Sequence, residues 1–146
     1  MVAGDRTPDA SVAASVPHVP CAGAIVYDDN FRLLLIRRGR PPAQGSWSLP
    51  GGRCLPNEDP AATCVREVRE ETGLRVKVVR RAGRVERAGP GVIYDIDDFV
   101  CLLVGGALRA SDDATEARWA SRADLRRLDL VPALLDTLDA WNALPD

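Results

Sequence analysis

Apolar positions along this chain come in short runs. "CAGAIVYD" (21–28) and "FRLLLIRR" (31–38) are nearly continuous and meet at a polar turn spanning Asp28 to Asn30, which predicts two strands joined as a hairpin. "GRPPAQGSW" then has the Pro and Gly content of a loop, and "SLPGG" turns the chain where only glycine is easily tolerated. A helix follows with well-marked ends: Asp59 can cap it, Pro60 suits its first position, and Gly73 can end it in the left-handed conformation. "LRVKVVRRAGRVER" and "VIYDIDDFVCLLVGG" read as extended segments around a turn at Gly89 to Gly91, and "EARWAS" as a further strand after the acidic loop "SDDAT". From Arg122 the spacing becomes helical in "ADLRRL" and "VPALLDTLDAWNAL", with Leu134, Leu135, Leu138 and Trp141 on one side. Strands, helix, strands and helix predict an α/β or α+β sandwich.

The first 19 residues carry Pro8 and Pro17 and no apolar period, so a tail is expected over 1–19 and an ordered domain over 20–146. With 146 residues, 46% of them hydrophobic, the chain suits one core. A formal net charge of -2 gives no electrostatic reason to expect a nucleic-acid polymer as partner. No run approaches the roughly 18 apolar residues that span a bilayer, and no basic segment leads into an apolar stretch at the start, so no membrane partner is expected. Cys21, Cys54, Cys64 and Cys101 form no C-x-x-C pair and His18, the only histidine, falls in the tail-like region. Zinc is therefore not expected; the cysteines read as small buried hydrophobes in a reducing cytoplasm.

The chemistry concentrates in "VREVREETG" (65–73). Glu67, Glu70 and Glu71, at i, i+3 and i+4, fall within about a 100° arc of the helix, while Val65, Val68 and Ala61 share an adjacent apolar face and Arg69 points away. Like charges so close repel. Either Arg66 and Arg69 neutralise a solvated surface, or the three carboxylates hold a hard cation such as Mg²⁺ or Mn²⁺.

The frame around the helix separates these readings. Gly52, Glu58, Arg66-Glu67-Val68, Glu70-Glu71 and Gly73-Leu74 fill every specified position of G-x5-E-x7-R-E-U-x-E-E-x-G-U, where U is a bulky aliphatic residue. This resembles the signature of the Nudix hydrolases, and a chance match in a chain of this length is on the order of one in ten million. The resemblance implies an α/β/α sandwich with a mixed β-sheet and Mg²⁺-dependent (or Mn²⁺-dependent) hydrolysis of a pyrophosphate in a nucleoside diphosphate derivative. Asn57 stands where many members have glycine.

By the same resemblance Glu67, Glu70 and Glu71 are expected as metal ligands, joined by the Gly51 carbonyl, and Glu67 and Glu70 take part in catalysis. Arg66 is expected to hold a glutamate by a charge-assisted hydrogen bond. Glu58 could face the metal or close the loop at the helix start. Members often take a base or a further ligand from a downstream loop, so Asp112, Asp113 and Glu116 are candidates, with Asp113 favoured by counting back from Trp119. Asp95, Asp97 and Asp98 are odd in a strand; Asp95 and Asp97 share a face and could line a cleft. Arg37, Arg38 and Arg53 flank the motif and could bind phosphate.

Pro90, 16 residues beyond Leu74, looks like the mark of the ADP-ribose pyrophosphatase subgroup, though turn chemistry explains a proline there as well. ADP-ribose is thus the first expectation and a MutT-type nucleoside triphosphate pyrophosphohydrolase the second. A non-catalytic nucleotide-binding regulator would not need all three glutamates, and a protein-interaction module built on the C-terminal helix would show no metal-dependent turnover. ADP-ribose-type members are often dimers, which leaves a homodimer open.

Overall fold

The computed structural model describes residues 16–41, 43–109 and 114–146. The expected tail lies almost wholly outside them. In chain order the elements are β1 (His18–Val26), β2 (Leu33–Arg38), β3 (Trp47–Ser48), β4 (Gly51–Arg53), α1 (Pro60–Thr72), β5 (Leu74–Gly89), β6 (Val92–Gly106), β7 (Ala114–Ala120), α2 (Arg122–Arg127) and α3 (Leu134–Ala140). A four-stranded sheet runs β4-β1-β6-β5 and a three-stranded one β3-β2-β7. β1 and β6 are parallel while the other pairs are antiparallel, so the larger sheet is mixed. The result is the α/β sandwich expected.

The hairpin expected between β1 and β2 does not form. The two strands share only the Tyr27–Leu33 bridge and then diverge into different sheets. Both have an unbroken run of buried positions, Cys21 to Val26 and Leu33 to Ile36. A strand buried on both faces needs neighbours on each side, so β1 takes β4 and β6 while β2 takes β3 and β7.

Side-chain alternation splits the larger sheet between two cores. Ala22, Ala24, Val26, Phe99 and Cys101 pack with Cys64 and Val68 under α1. Ile25 and Val100, on the opposite face, join a second core with Leu125, Leu134 and Leu138 from α2 and α3. Leu135, expected inside, is 37% exposed, because α3 begins only at Leu134 after Ala133 at φ 67°.

α1 occupies the span its flanking residues predict. Gly73 takes φ 77° and donates its N–H to the Arg69 carbonyl, a left-handed stop that glycine allows without strain. Asp59 is at the N-cap position but its side chain makes no capping bond. That region is tied instead by Glu58, whose Oε1 accepts from Thr63 Oγ1 at 2.6 Å and from the Leu55 N–H at 3.0 Å. At the other hairpin tip, Pro90 and Gly91 (φ 71°) form the two-residue connection between β5 and β6.

Candidate active site

β4 is the edge strand on which the site is built. Ala24 donates to Pro50 and Cys54 to Pro20, both at 2.9 Å, so the backbone of alternate residues 50, 52 and 54 turns toward β1. That of residues 51 and 53 points off the free edge. α1 docks there: the Gly51 N–H donates to Glu71 Oε1 at 2.8 Å, and the Arg53 carbonyl accepts from Arg66 Nη2 at 3.1 Å. Glu71 is only 6% exposed. The Glu67 carboxylate fills the space that a Cβ on Gly52 would take, so the paired glycines of "LPGG" serve two ends: Gly51 offers backbone groups and Gly52 makes room.

Arg66 is the hub. Its Nε donates to Glu58 Oε2 and its Nη2 to Glu58 Oε1, both at 2.9 Å, and its Nη1 to Glu70 Oε1 at 2.8 Å, with Glu67 Oε2 at 3.5 Å. A planar guanidinium can fork onto Glu58 in this way while reaching a second carboxylate. The Arg66 fork, with the Thr63 hydroxyl and the Leu55 N–H, holds the Glu58 carboxyl down to about 2; the carboxylates in turn raise Arg66 above its ordinary value. Glu58 thus ties the loop at the helix start to Arg66, Thr63 and Leu55.

Gly51, Glu67, Glu70 and Glu71 are thus brought to one edge, with Val68 buried and Arg69 exposed as their helical positions require. Carboxylate and carbonyl oxygens are the donors that Mg²⁺ and Mn²⁺ take, so the residues present fit such an ion. Glu70 is 55% exposed and turned toward Arg66. Among the described residues, His18, Glu86 and Asp95 also bring three ligand atoms within 4.8 Å of one another. They stand on β1, β5 and β6, and His18 Nδ1 pairs with Asp95 Oδ2 at 2.9 Å; His18 belongs to a strand and not to a tail.

The other candidates divide. Asp112 and Asp113 lie outside the described residues. Glu116 is exposed on β7 and pairs with Arg37 Nη1 at 2.8 Å, so both are engaged in the smaller sheet. Arg38 is half-buried at the end of β2. Arg53 sits next to the glycine pair, donating to the Tyr94 hydroxyl at 3.0 Å with its guanidinium 5.3 Å from that ring's centre. Of the cysteines, Cys21, Cys64 and Cys101 are buried and Cys54 is half-buried, all as free thiols.

Asp95 and Asp97 share a face but not an open acidic cleft. Asp97 is buried and gripped by Arg84, at 2.9 and 3.2 Å, and by Arg81 at 3.2 Å. The hydrogen bonds from Arg84 hold its carboxyl below the ordinary range. Asp98 differs: it points to the other face, is 6% exposed, and burial pushes its carboxyl up to about 7. Three aspartates in an apolar strand were the only sign of it in the sequence.

The family model for the NUDIX domain matches residues 17–141. A MutT-like protein of Streptomyces ambofaciens is 36% identical over 90% of this chain and 84% of its own. An ADP-ribose pyrophosphatase of Methanocaldococcus jannaschii is 37% identical over 71% of this chain and 62% of its own. The crystal structure of a MutT protein from Methanosarcina mazei superposes with a TM-score of 0.77 at 25% identity, covering 88% of this chain and 95% of that one. No helix among the described residues is long and apolar enough to cross a membrane. With the signature complete and its carboxylates gathered on one strand edge, the chain belongs to the Nudix hydrolases, enzymes that cleave pyrophosphates of nucleotide derivatives and generally use a divalent metal.

Proposed function

We propose that this chain hydrolyses the pyrophosphate of a nucleoside diphosphate derivative with Mg²⁺, and that ADP-ribose is its first candidate substrate. The observation that carries the reading is the convergence of Glu67, Glu70 and Glu71 on the free edge of β4, held by the Gly51 N–H and by Arg66. Glu67, Glu70, Glu71 and the Gly51 carbonyl would hold the ion. When bound, it screens the phosphate oxygens and lowers the pKa of the attacking water.

The protein's own groups do the rest. Arg66 fixes Glu70 and, through Glu58, the loop that leads into α1. Glu67 and Glu70 orient the nucleophile, and Asp113 takes its proton. The water oxygen bonds to phosphorus as the bridging P–O bond breaks, and the proton is carried away as the leaving phosphate departs. Arg53, on the strand edge itself, is the best placed of the three flanking arginines to meet a phosphate, with Arg37 and Arg38 behind it.

Removal of pyrophosphate from nucleoside triphosphates is the second reading. It is favoured by the MutT-like relative, of which this chain covers 84%, against 62% of the ADP-ribose pyrophosphatase. ADP-ribose, NADH, diadenosine polyphosphates and nucleoside triphosphates, each with Mg²⁺ and with EDTA, separate the two. Release of AMP from ADP-ribose faster than pyrophosphate from any triphosphate is expected. Turnover of none would overturn the enzymatic reading of this site.

A further inference from the structure

Away from the glutamates of α1, three strands of the larger sheet bring a second set of metal-ligating side chains together. Glu86 on β5 stands directly opposite Asp95 on β6, and Asp95 stands opposite Pro20 on β1. His18 is two residues before Pro20, so its side chain leaves the same face of the sheet as Asp95 and Glu86. One ligand atom from each of the three lies within 4.8 Å of the other two. His18 and Asp95 are 77 positions apart in sequence, and the pairing of β1 with β6 is what joins them.

Two carboxylates opposite each other in an antiparallel pair repel. His18 Nδ1 meets both oxygens of Asp95, at 2.9 and 3.1 Å, which engages one carboxylate of the two. Glu86 makes no hydrogen bond among the described residues. Arg84, whose charge reaches both carboxylates, directs its Nε and Nη2 to Asp97 instead. A cation between Glu86, Asp95 and His18 would relieve the repulsion. An imidazole nitrogen with two carboxylate oxygens is a donor set for divalent transition metals such as Zn²⁺, whereas Mg²⁺ prefers oxygen alone. Three protein ligands leave a fourth position for water, and ligands carried on paired strands keep their spacing without the ion.

We propose that His18, Glu86 and Asp95 bind a divalent transition-metal ion of the Zn²⁺ class, at a site that shares no residue with the α1 glutamates and that ties β1, β5 and β6 together. Because the chain has one histidine, the imidazole signals in a proton–nitrogen NMR spectrum report on His18 alone. Zn²⁺ is titrated into the full chain with Mg²⁺ in excess, and the ring signals should move to a new position. Glu86→Gln leaves the His18–Asp95 pair intact, and should lower the Zn²⁺ affinity read from those signals about tenfold or more. The movement should persist in Glu71→Gln.

Ring signals that stay in place in excess Zn²⁺, or that follow the same titration curve in Glu86→Gln, would reduce the cluster to a surface ion pair and overturn the proposal. Signals that no longer move in Glu71→Gln would overturn it by giving the ion to the α1 glutamates. Glu86 is exposed, so its substitution should leave the fold in place; should Glu86→Gln not fold, Glu86→Asp, which retracts the carboxylate, should lower the affinity in its stead. No step of the test needs turnover, so its outcome is independent of the proposed function.

Discussion

Replacing Asp98 by Asn should stabilise the fold, and the gain should grow with pH. Burial is the main cause that lifts the Asp98 carboxyl to about 7; Arg87 on β5 pulls it down and neighbouring Asp97 pushes it up. Cys64 on α1 is a further titratable group close enough to sense its charge, while β1 contributes only Gly23 at this point. In the unfolded chain the group titrates near 3.9. Between these values the folded state binds more protons than the unfolded one, so stability falls as pH rises through the window and stays low above it. Three pKa units correspond to about 4 kcal/mol in full, of which about 2.5 kcal/mol is lost between pH 5 and pH 8. Asn keeps the shape and removes the titration. Urea melts of both proteins at pH 5 and pH 8, in EDTA to exclude metal linkage, give the double difference, in which every other titrating group cancels. Its thermal equivalent is a relative shift of roughly 5–10 °C. A variant whose advantage is the same at both pH values would refute the reasoning, because Asp98 would then not be a carboxyl desolvated by the fold.

Other substitutions separate holding from positioning. Glu71→Gln keeps an acceptor for the Gly51 N–H and should leave the melting temperature near wild type while lowering kcat about 100-fold or more; full activity would remove Glu71 from the metal site. Arg66→Lys retains the charge but not the fork that reaches Glu58 and Glu70 together, so Mg²⁺ affinity measured by calorimetry should fall about 10–100-fold. Gly52→Ala places a Cβ in the space of the Glu67 carboxylate, and should weaken Mg²⁺ binding more than it lowers the melting temperature. Gly73→Ala must hold φ 77° with a side chain against the Ala107 carbonyl, and should destabilise by about 1 kcal/mol or more in urea melts.

What was legible in the sequence was local. α1 announced both ends through Pro60 and Gly73, and the i, i+3, i+4 spacing of its glutamates sufficed to converge them, because a helix needs no partner to define its faces. The β5–β6 connection was legible for the same reason, as Pro90 and Gly91 turn the chain over two residues. The β1–β2 expectation failed where the information is not local. Two apolar strands next to each other in sequence look like a hairpin, but strands buried on both faces carry no alternation to say which neighbour they will take. β1 pairs in parallel with β6, joining Gly23 to Asp98 across 75 positions, and no short-range signal encodes that register. Arg37 shows the same limit: its engagement by Glu116 follows from the β2–β7 register, not from its closeness to the motif.

The glycines make the two faces of the site depend on one another. Gly52 opens space for the Glu67 carboxylate on the α1 side, while at its neighbour Gly51 a side chain would run into the Ala22 carbonyl and the Gly23 Cα of β1. A side chain at Gly52 would displace the Glu67 carboxylate, and one at Gly51 would push β4 away from β1. The signature defines its first glycine by what the catalytic helix needs, and so accounts for Gly52. Gly23 and Gly83, outside the signature and on strands with neither a helix cap nor a positive φ, have packing reasons of their own: the Asp98 carboxylate and the Trp141 ring occupy the space their side chains would take. A buried carboxylate that lowers stability at neutral pH, seated in the gap that Gly23 leaves, is a local conflict with folding of the kind found at functional sites.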